Sequence, residues 1–373
     1  MYRMAAPAER EALRSLWQLS FDDPPAFVDW FFANRFLPEY CPVYVEGGHI
    51  LACLHGLPVH LRLREQILPG VIIAGVSTHP EHRRRGLMHG VLRFFLERLR
   101  QEGAPLVSYR PVQLSIYASA GHFPVSDSLY LTLPPSAPRP AFDPCRQYDL
   151  VEEASALYCC YARFSRNYST IVDRSYSDFL LKCQDYRSCG GQCIVTLEDS
   201  GQVDGYCIYY AGEAQPGGGI LGEECAALSP AAYSRLWAGL ARRCPPGRTL
   251  TLRLPPDAGL RPLGAKAVQL PRSIWGVADV SALLRALHLE GPGAIQVEDP
   301  LLPGNRGIFT LSGKPSSGPP LLRIPAGRLA QWAAGYRTMA DILAAGEAEA
   351  MDEAFAAGLD RLGTCPCYIV DEY

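Results

Sequence analysis

The apolar pattern changes period along this chain, and the sharpest change falls around Gly86. Before it, Val71 to Val76 is a β-branched apolar run without a polar break, which predicts a strand buried on both faces. After it, Leu87, Met88, Val91, Leu92, Phe95, Leu96 and Leu99 recur at helical spacing, with Arg93, Glu97, Arg98 and Arg100 filling the other face. The helix predicted there ends near Gly103.

Upstream, the pattern predicts helices around residues 9–19 and 25–36, then a hairpin of strands 42–46 and 50–63 turned at Gly47 and Gly48. Downstream come a strand at 105–109, a helix around 115–120 and a strand at 128–133, closed by Pro134, Pro135, Pro138 and Pro140. A similar order then recurs. Helices around 151–163 and 176–185 precede strands at 192–197, 203–210 and 220–228; a helix capped by Ser229 with Pro230 at its first position leads to a strand at 249–254. Two lobes of one fold are therefore expected, at 1–137 and 138–275. The remainder, 276–373, reads as mixed: a strand passing into a helix over 277–289, strands at 295–297 and 308–311, and helices at 327–334 and 339–362. The fold class is α/β (α+β).

Composition narrows the function classes. The net charge is −3, and no basic tract exists beyond three consecutive arginines, which argues against a nucleic-acid partner. No apolar run reaches membrane-spanning length and the first residues lack a signal-peptide core, so a cytoplasmic protein without a membrane partner is expected. Thirteen cysteines are scattered rather than spaced as a disulfide framework, and are expected to be mostly reduced and buried. Cys189 with Cys193 and Cys365 with Cys367 come closest to ligand spacing but lack a second pair, and His79 and His82 read as loop surface; no metal is expected.

The candidate chemistry lies between the strand and the helix, in Arg83, Arg84, Arg85 and Gly86. The first-turn N–H groups of a helix have no partner within it and carry the positive end of its dipole, so an anion is favoured there. Arginines add charge and donors, and glycine lets a phosphate approach the backbone. A solvated surface turn is the competing reading.

At these residues the chain resembles the GNAT superfamily of acyl-CoA-dependent N-acetyltransferases, whose signature Arg/Gln-x-x-Gly-x-Gly/Ala reads Arg83-x-x-Gly86-x-Met88 here, with Met88 in place of the usual small residue. Ile116, Tyr117 and Gly121, with more than two hundred residues still to follow, narrow the resemblance to the enhanced intracellular survival (Eis-like) acetyltransferases; Ala120 stands where that family has phenylalanine. The resemblance implies tandem GNAT lobes, the second degenerate because Leu228, Ser229 and Pro230 replace the Arg-Gly loop, followed by a sterol-carrier-like domain at 276–373. It also implies acetyl-CoA as donor, held by Val76, Ser77, Thr78, Arg83, Arg84, Arg85, Gly86, Leu87, Met88, His89, Val112 and Gln113, and a homo-oligomer such as a hexamer. Apolar segments such as Leu150 to Tyr161 suit an assembly surface.

Acetyl transfer to an amine needs a neutral amine, a stabilised oxyanion and a proton for the leaving thiolate. An amine of pKa near 10.4 costs roughly 4 to 5 kcal/mol to deprotonate at pH 7, so a base is required. Backbone N–H groups at the end of the Val76 strand suit the oxyanion. A tyrosine hydroxyl matches the thiol as proton donor, and the resemblance assigns this to Tyr117, a structural aromatic being the alternative. It assigns the base to the α-carboxylate of Tyr373, reached through the strand-like stretch 367–370; a solvated acidic end is the alternative. Asp22, Asp23 and Glu372 are the acids expected to favour a cationic acceptor: an aminoglycoside, a lysine side chain or a polyamine. A tandem-GNAT transferase of another acyl or aminoacyl donor and a non-catalytic ligand-binding relative are the rival readings.

Overall fold

A computed structural model of the chain describes residues 1–111, 113–137, 139–215 and 217–371. The first lobe runs β1 (Tyr2–Met4), α1 (Arg10–Gln18), α2 (Pro25–Asn34), β2 (Pro42–Glu46), β3 (His49–Leu63), β4 (Gln66–Thr78), α3 (Leu87–Glu102), β5 (Leu106–Tyr109), α4 (Leu114–Ala118) and β6 (Phe123–Leu133). The second runs β7 (Arg146–Tyr148), α5 (Ala154–Phe164), β8 (Thr170–Val172), α6 (Tyr176–Ser188), β9 (Gln192–Leu197), β10 (Val203–Ala211), β11 (Ile220–Ala227), α7 (Pro230–Arg243), β12 (Leu250–Leu254) and β13 (Lys266–Val277). The remainder holds α8 (Val280–Ala286), β14 (Ala294–Glu298), β15 (Gly307–Thr310), β16 (Leu322–Pro325), α9 (Ala326–Ala334), α10 (Met339–Ala344), β17 (Glu349–Ala350) and α11 (Glu353–Leu359).

Helix α3 forms where the pattern places it. Leu87, Val91, Leu92, Phe95, Leu96 and Leu99 are buried against β3, β4 and β5, and left-handed Gly103 closes the helix as Ala104 N–H returns to Leu99 O at 3.0 Å. At α7, Ser229 Oγ accepts from Ala232 N–H at 3.1 Å with Pro230 at the first helical position, as the sequence predicts. One prediction fails: residues 339–362 are not one helix. Gly346, at φ +69°, ends the first turns of α10, and the chain passes through β17 before α11 begins.

The sheet is less modular than the order of elements suggests. Among the described residues, thirteen strands hydrogen-bond into one sheet, in which β13 lies between β5 and β6, and β6 in turn pairs with β12. The last strand of the second lobe therefore completes the sheet of the first. A separate four-stranded sheet, ordered β15-β14-β16-β17, belongs to the C-terminal segment. The segment's helix α9 is set hard against the first lobe, since a Cβ at Gly327 would lie 1.9 Å from Gly121 O.

Burial corrects the assembly argument. Leu150, Leu157, Cys160 and Tyr161 are interior, in one apolar cluster with residues of β9, β10 and the tail residues Tyr368 and Val370, so the largest apolar side chains of this segment serve the core. No described helix is long and apolar enough to cross a membrane.

Candidate active site

Strand β4 is hydrogen-bonded to β5 only from Gly70 to Ile72, yet it runs on to Thr78. Beyond Ile72 its partner on that side is gone. On the other side the register with β3 slips by one residue between the pairs His55–Ala74 and Cys53–Ser77, a bulge that contains Gly75 at φ +52°. Glycine is required there for a second reason: a Cβ would sit 2.1 Å from the Trp17 ring. The bulge and the missing neighbour leave the stretch from Gly75 to Thr78 without a strand on the β5 side, the kind of opening in which backbone donors can meet an oxyanion.

The loop that follows turns through Pro80–His82 and delivers Gly86 as the N-cap of α3 at φ +76°. No side chain caps this helix, and a Cβ at Gly86 would meet nothing within 4 Å. The N-terminus of α3 is thus left without a side-chain cap beside an open position at Gly86. The contrast with α7 is chemical: there Ser229 satisfies the helix end from within. The three arginines differ in role. Arg83 Nε reaches Thr78 O at 3.4 Å and Arg84 is exposed with left-handed backbone, whereas Arg85 pairs with Glu46 at 2.8 Å and contacts His82 Nδ1 at 2.7 Å. Arg85 thus has a carboxylate partner at the surface. Leu87 is buried, Met88 half-buried against the core beneath α3, and His89 Nε2 lies 3.3 Å from Ser119 Oγ, which ties α4 to the first turn of α3.

Tyr117 stands on α4. Its ring packs edge-on against Tyr109 at 4.7 Å between centroids, and burial pushes its hydroxyl up to about 12, so it carries its proton at neutral pH. Tyr109 shares a hydrogen bond with His122, whose imidazole burial keeps neutral by lowering its pKa to about 3. Gly276 of β13 makes room for that imidazole, since a Cβ there would lie 2.3 Å from its Cε1. The inserted strand thus holds the floor beneath Tyr117.

On the other side of the Gly75 bulge lies a cavity of about 530 Å³ whose lining includes Trp17, Asp23, Arg110, Lys182, Asp185 and Glu223. Its carboxylates are not equivalent. Glu223 pairs with Arg253 at 3.0 Å and Arg272 at 3.2 Å, and Asp185 with Lys182 at 3.3 Å. Asp23 takes the Trp17 indole N–H at 2.8 Å, a neutral donor that orients the carboxylate and leaves its charge in place. Asp22 is exposed and does not line the cavity, so of the adjacent pair only Asp23 is at the site.

The tail reaches the same cavity. Tyr368 N–H donates to Thr170 O at 2.9 Å, Ile369 N–H to Ser126 Oγ at 2.9 Å, and Val370 lines the cavity wall. The strand expected at 367–370 is not formed; an isolated bridge from Cys367 to Thr170 and hydrogen bonds of Ile369 to the Ser126 and Ser273 hydroxyls hold the segment instead. Asp371 ends the described tail on buried Arg174. Arg174 also makes two hydrogen bonds to Glu224, at 2.7 and 2.9 Å, and Tyr206 and Tyr186 donate to the same carboxylate. Neither this cluster nor the Tyr109–His122 pair was anticipated from sequence; the acidic doublet Glu223–Glu224 inside an otherwise apolar strand was the available signal.

Val112, Glu372 and Tyr373 lie outside the described residues, and Gln113 is the N-cap of α4. All thirteen cysteines are free, eight of them buried. Among the described residues, His79, Glu81 and His82 bring potential ligand atoms within 4.8 Å of one another.

Residues 1–124 match the acetyltransferase (GNAT) domain family, and residues 280–365 the sterol carrier protein domain family. Whole-chain structural similarity extends to a probable N-acyltransferase of Enterococcus faecalis, 15% identical over 100% of this chain and 99% of that one with a TM-score of 0.81. A GCN5-related N-acetyltransferase of Anabaena variabilis is 18% identical over 100% of both chains with a TM-score of 0.78. Eis1 of Mycobacterium abscessus is 18% identical over 100% of both chains with a TM-score of 0.74. No curated protein matches the sequence. With its uncapped, arginine-flanked helix on a splayed strand, the N-terminal third of this chain is a GNAT acetyltransferase domain, joined to a sterol carrier protein domain, and the protein is an acyltransferase of the N-acetyltransferase kind.

Proposed function

We propose that the protein moves an acetyl group from acetyl-CoA to the amine of a cationic acceptor, of aminoglycoside, polyamine or lysine type, by direct transfer in a ternary complex. The observation that carries this reading is the continuity of β4: Gly75 forms cavity wall, and Thr78, three residues on, leads into the Gly86 loop. A strand end that has lost its β5 partner therefore adjoins an uncapped helix end on one side and a carboxylate-bearing cavity on the other.

The pyrophosphate would rest on the N-terminus of α3 with Arg83 and Arg84 beside it; the open space over Gly86 fits that group. Backbone donors of the bulge would stabilise the oxyanion that forms as the amine attacks the thioester carbonyl. Tyr117 would give its proton to the departing thiolate, and its raised pKa keeps that proton in place until the thiolate develops. Asp23 would receive an ammonium of the acceptor. The α-carboxylate of Tyr373 is the proposed base: two residues beyond Asp371 span at most about 7 Å, within reach of the cavity that Val370 lines. An α-carboxylate is intrinsically weak as a base, so its effect would come through desolvation or a bridging water.

The test is CoA release, followed with a thiol reagent, from acetyl-CoA and longer acyl-CoA donors across a panel of amines. Release that requires both acetyl-CoA and a polycationic amine supports the proposal. Hydrolysis alone, or no release with any amine, overturns it.

A further inference from the structure

The tail that enters the cavity is rooted at Cys365–Pro366–Cys367, a stretch that the transfer chemistry does not use. Cys365 N–H donates to Gly335 O at 3.0 Å, and Pro366 O accepts from Ser169 N–H at 3.0 Å and Thr170 N–H at 3.3 Å. Both thiols are half-buried and both point at one acceptor, Ala334 O, each at 3.2 Å. Two sulfurs that each lie 3.2 Å from one oxygen are neighbours, and Cys367 Sγ also lies 3.2 Å from Cys365 O. Arg64 stands beside them, its guanidinium fixed by Ala333 O at 2.9 Å, Leu362 O at 2.9 Å and Gly363 O at 2.8 Å. The hydrogen bond from Cys367, and behind it the charge of Arg64, holds the Cys365 thiol below its ordinary pKa against the opposing effect of burial; Cys367 is raised by the same pairing. A lowered, partly accessible thiol beside a second thiol is the environment of reactive rather than inert cysteines. Two residues of chain span at most about 7 Å, so the shorter part of that range satisfies a disulfide.

We propose that Cys365 and Cys367 form a reversible dithiol–disulfide site that reacts with small disulfides of the glutathione type and governs the docking of the tail behind it. The Cys365 thiolate attacks one sulfur of the small disulfide and expels a thiolate, which takes up a proton. Cys367, deprotonated in turn, attacks the Cys365 sulfur of the mixed disulfide and expels the second. The protein loses two protons and two electrons, and the small disulfide becomes two thiols. Both Sγ–Ala334 O contacts are lost, and the root between Gly335 and Thr170 must re-form around the new bond.

The full chain is incubated with oxidised and reduced glutathione in varied ratio, quenched by alkylation, and mapped by mass. Expected is a Cys365–Cys367 cross-link lighter by two hydrogens, absent from Cys365→Ser and reversed by dithiothreitol, together with faster amide exchange at Tyr368 and Ile369. That exchange readout does not depend on acetyl transfer, so it stands apart from the function proposed above. A persistent mixed disulfide, a cross-link to some other cysteine, no reaction, or a cross-link that leaves exchange at Tyr368 and Ile369 unchanged would each overturn the proposal.

Discussion

Arg174 Nε lies 2.7 Å from Asp371 Oδ1, an ion pair between the second lobe and the tail with both side chains buried. The lobe whose own strand-to-helix loop has lost the anion-binding pattern thus grips the segment that enters the cavity beside the lobe that kept it. Arg174→Gln removes the cation that pairs with the buried carboxylates of Asp371 and Glu224, a loss on the order of 3 to 5 kcal/mol. The sign with pH follows from Glu224. Burial alone would raise its pKa, but the charge and hydrogen bonds of Arg174, with the Tyr206 hydroxyl, bring it from 4.5 to about 2. A depressed carboxyl contributes stability above pH 4.5 and loses it as pH falls towards 2. Urea unfolding should show a large deficit for Arg174→Gln at pH 7 that narrows through that window.

Gly86→Val places a β-branched side chain in the space above an uncapped helix and in a left-handed conformation. Acetyl-CoA affinity measured by calorimetry should fall by at least about tenfold, since a single hydrogen bond to a charged group contributes roughly 1.5 to 3 kcal/mol and several are blocked together. Unchanged affinity would move the donor elsewhere.

Asp23→Asn keeps an acceptor for the Trp17 indole and removes the charge. The KM for a polycationic acceptor should rise by about 10- to 100-fold, the scale of a charged hydrogen bond, with the KM for acetyl-CoA unaltered. Asp22→Asn, at an exposed position, serves as the control and should change neither.

How far the sequence reveals this arrangement depends on the range of the interactions involved. The Gly86 loop, the Ser229 cap and the ends of α3 are written within a few residues, as glycine at a left-handed position, serine before proline and apolar spacing. The Arg174–Glu224–Asp371 cluster joins residues 50 and 197 apart; the acidic doublet at Glu223–Glu224 marks one member, but its partners are set by tertiary pairing. The same holds for β13, whose exposed first half has no apolar pattern and whose place between β5 and β6 is set by tertiary pairing. Asp22 and Asp23 were indistinguishable until Trp17 selected one of them. Residues 339–362 read as one helix because alanine-rich spacing continues across Gly346, whose left-handed turn the period does not register.

The proposed role of Tyr373 concerns a charge at a defined place. One residue added after Tyr373 shifts a carboxylate by roughly 3.3 to 3.6 Å, more than a hydrogen-bond length, and leaves a neutral amide behind. The rate should collapse while the melting temperature is kept, and Tyr373→Phe should be mild. Full activity in the extended protein would leave water or a side chain as the base.

The central claim is that Tyr117 protonates the departing thiolate, and kcat of Tyr117→Phe at saturating acetyl-CoA and acceptor tests it most directly. The substitution keeps the ring that packs on Tyr109 and removes only the hydroxyl. The account requires kcat to drop by about 10² or more, the usual scale of general acid catalysis, with acetyl-CoA affinity unchanged. Near-normal turnover would contradict it and make Tyr117 a packing residue.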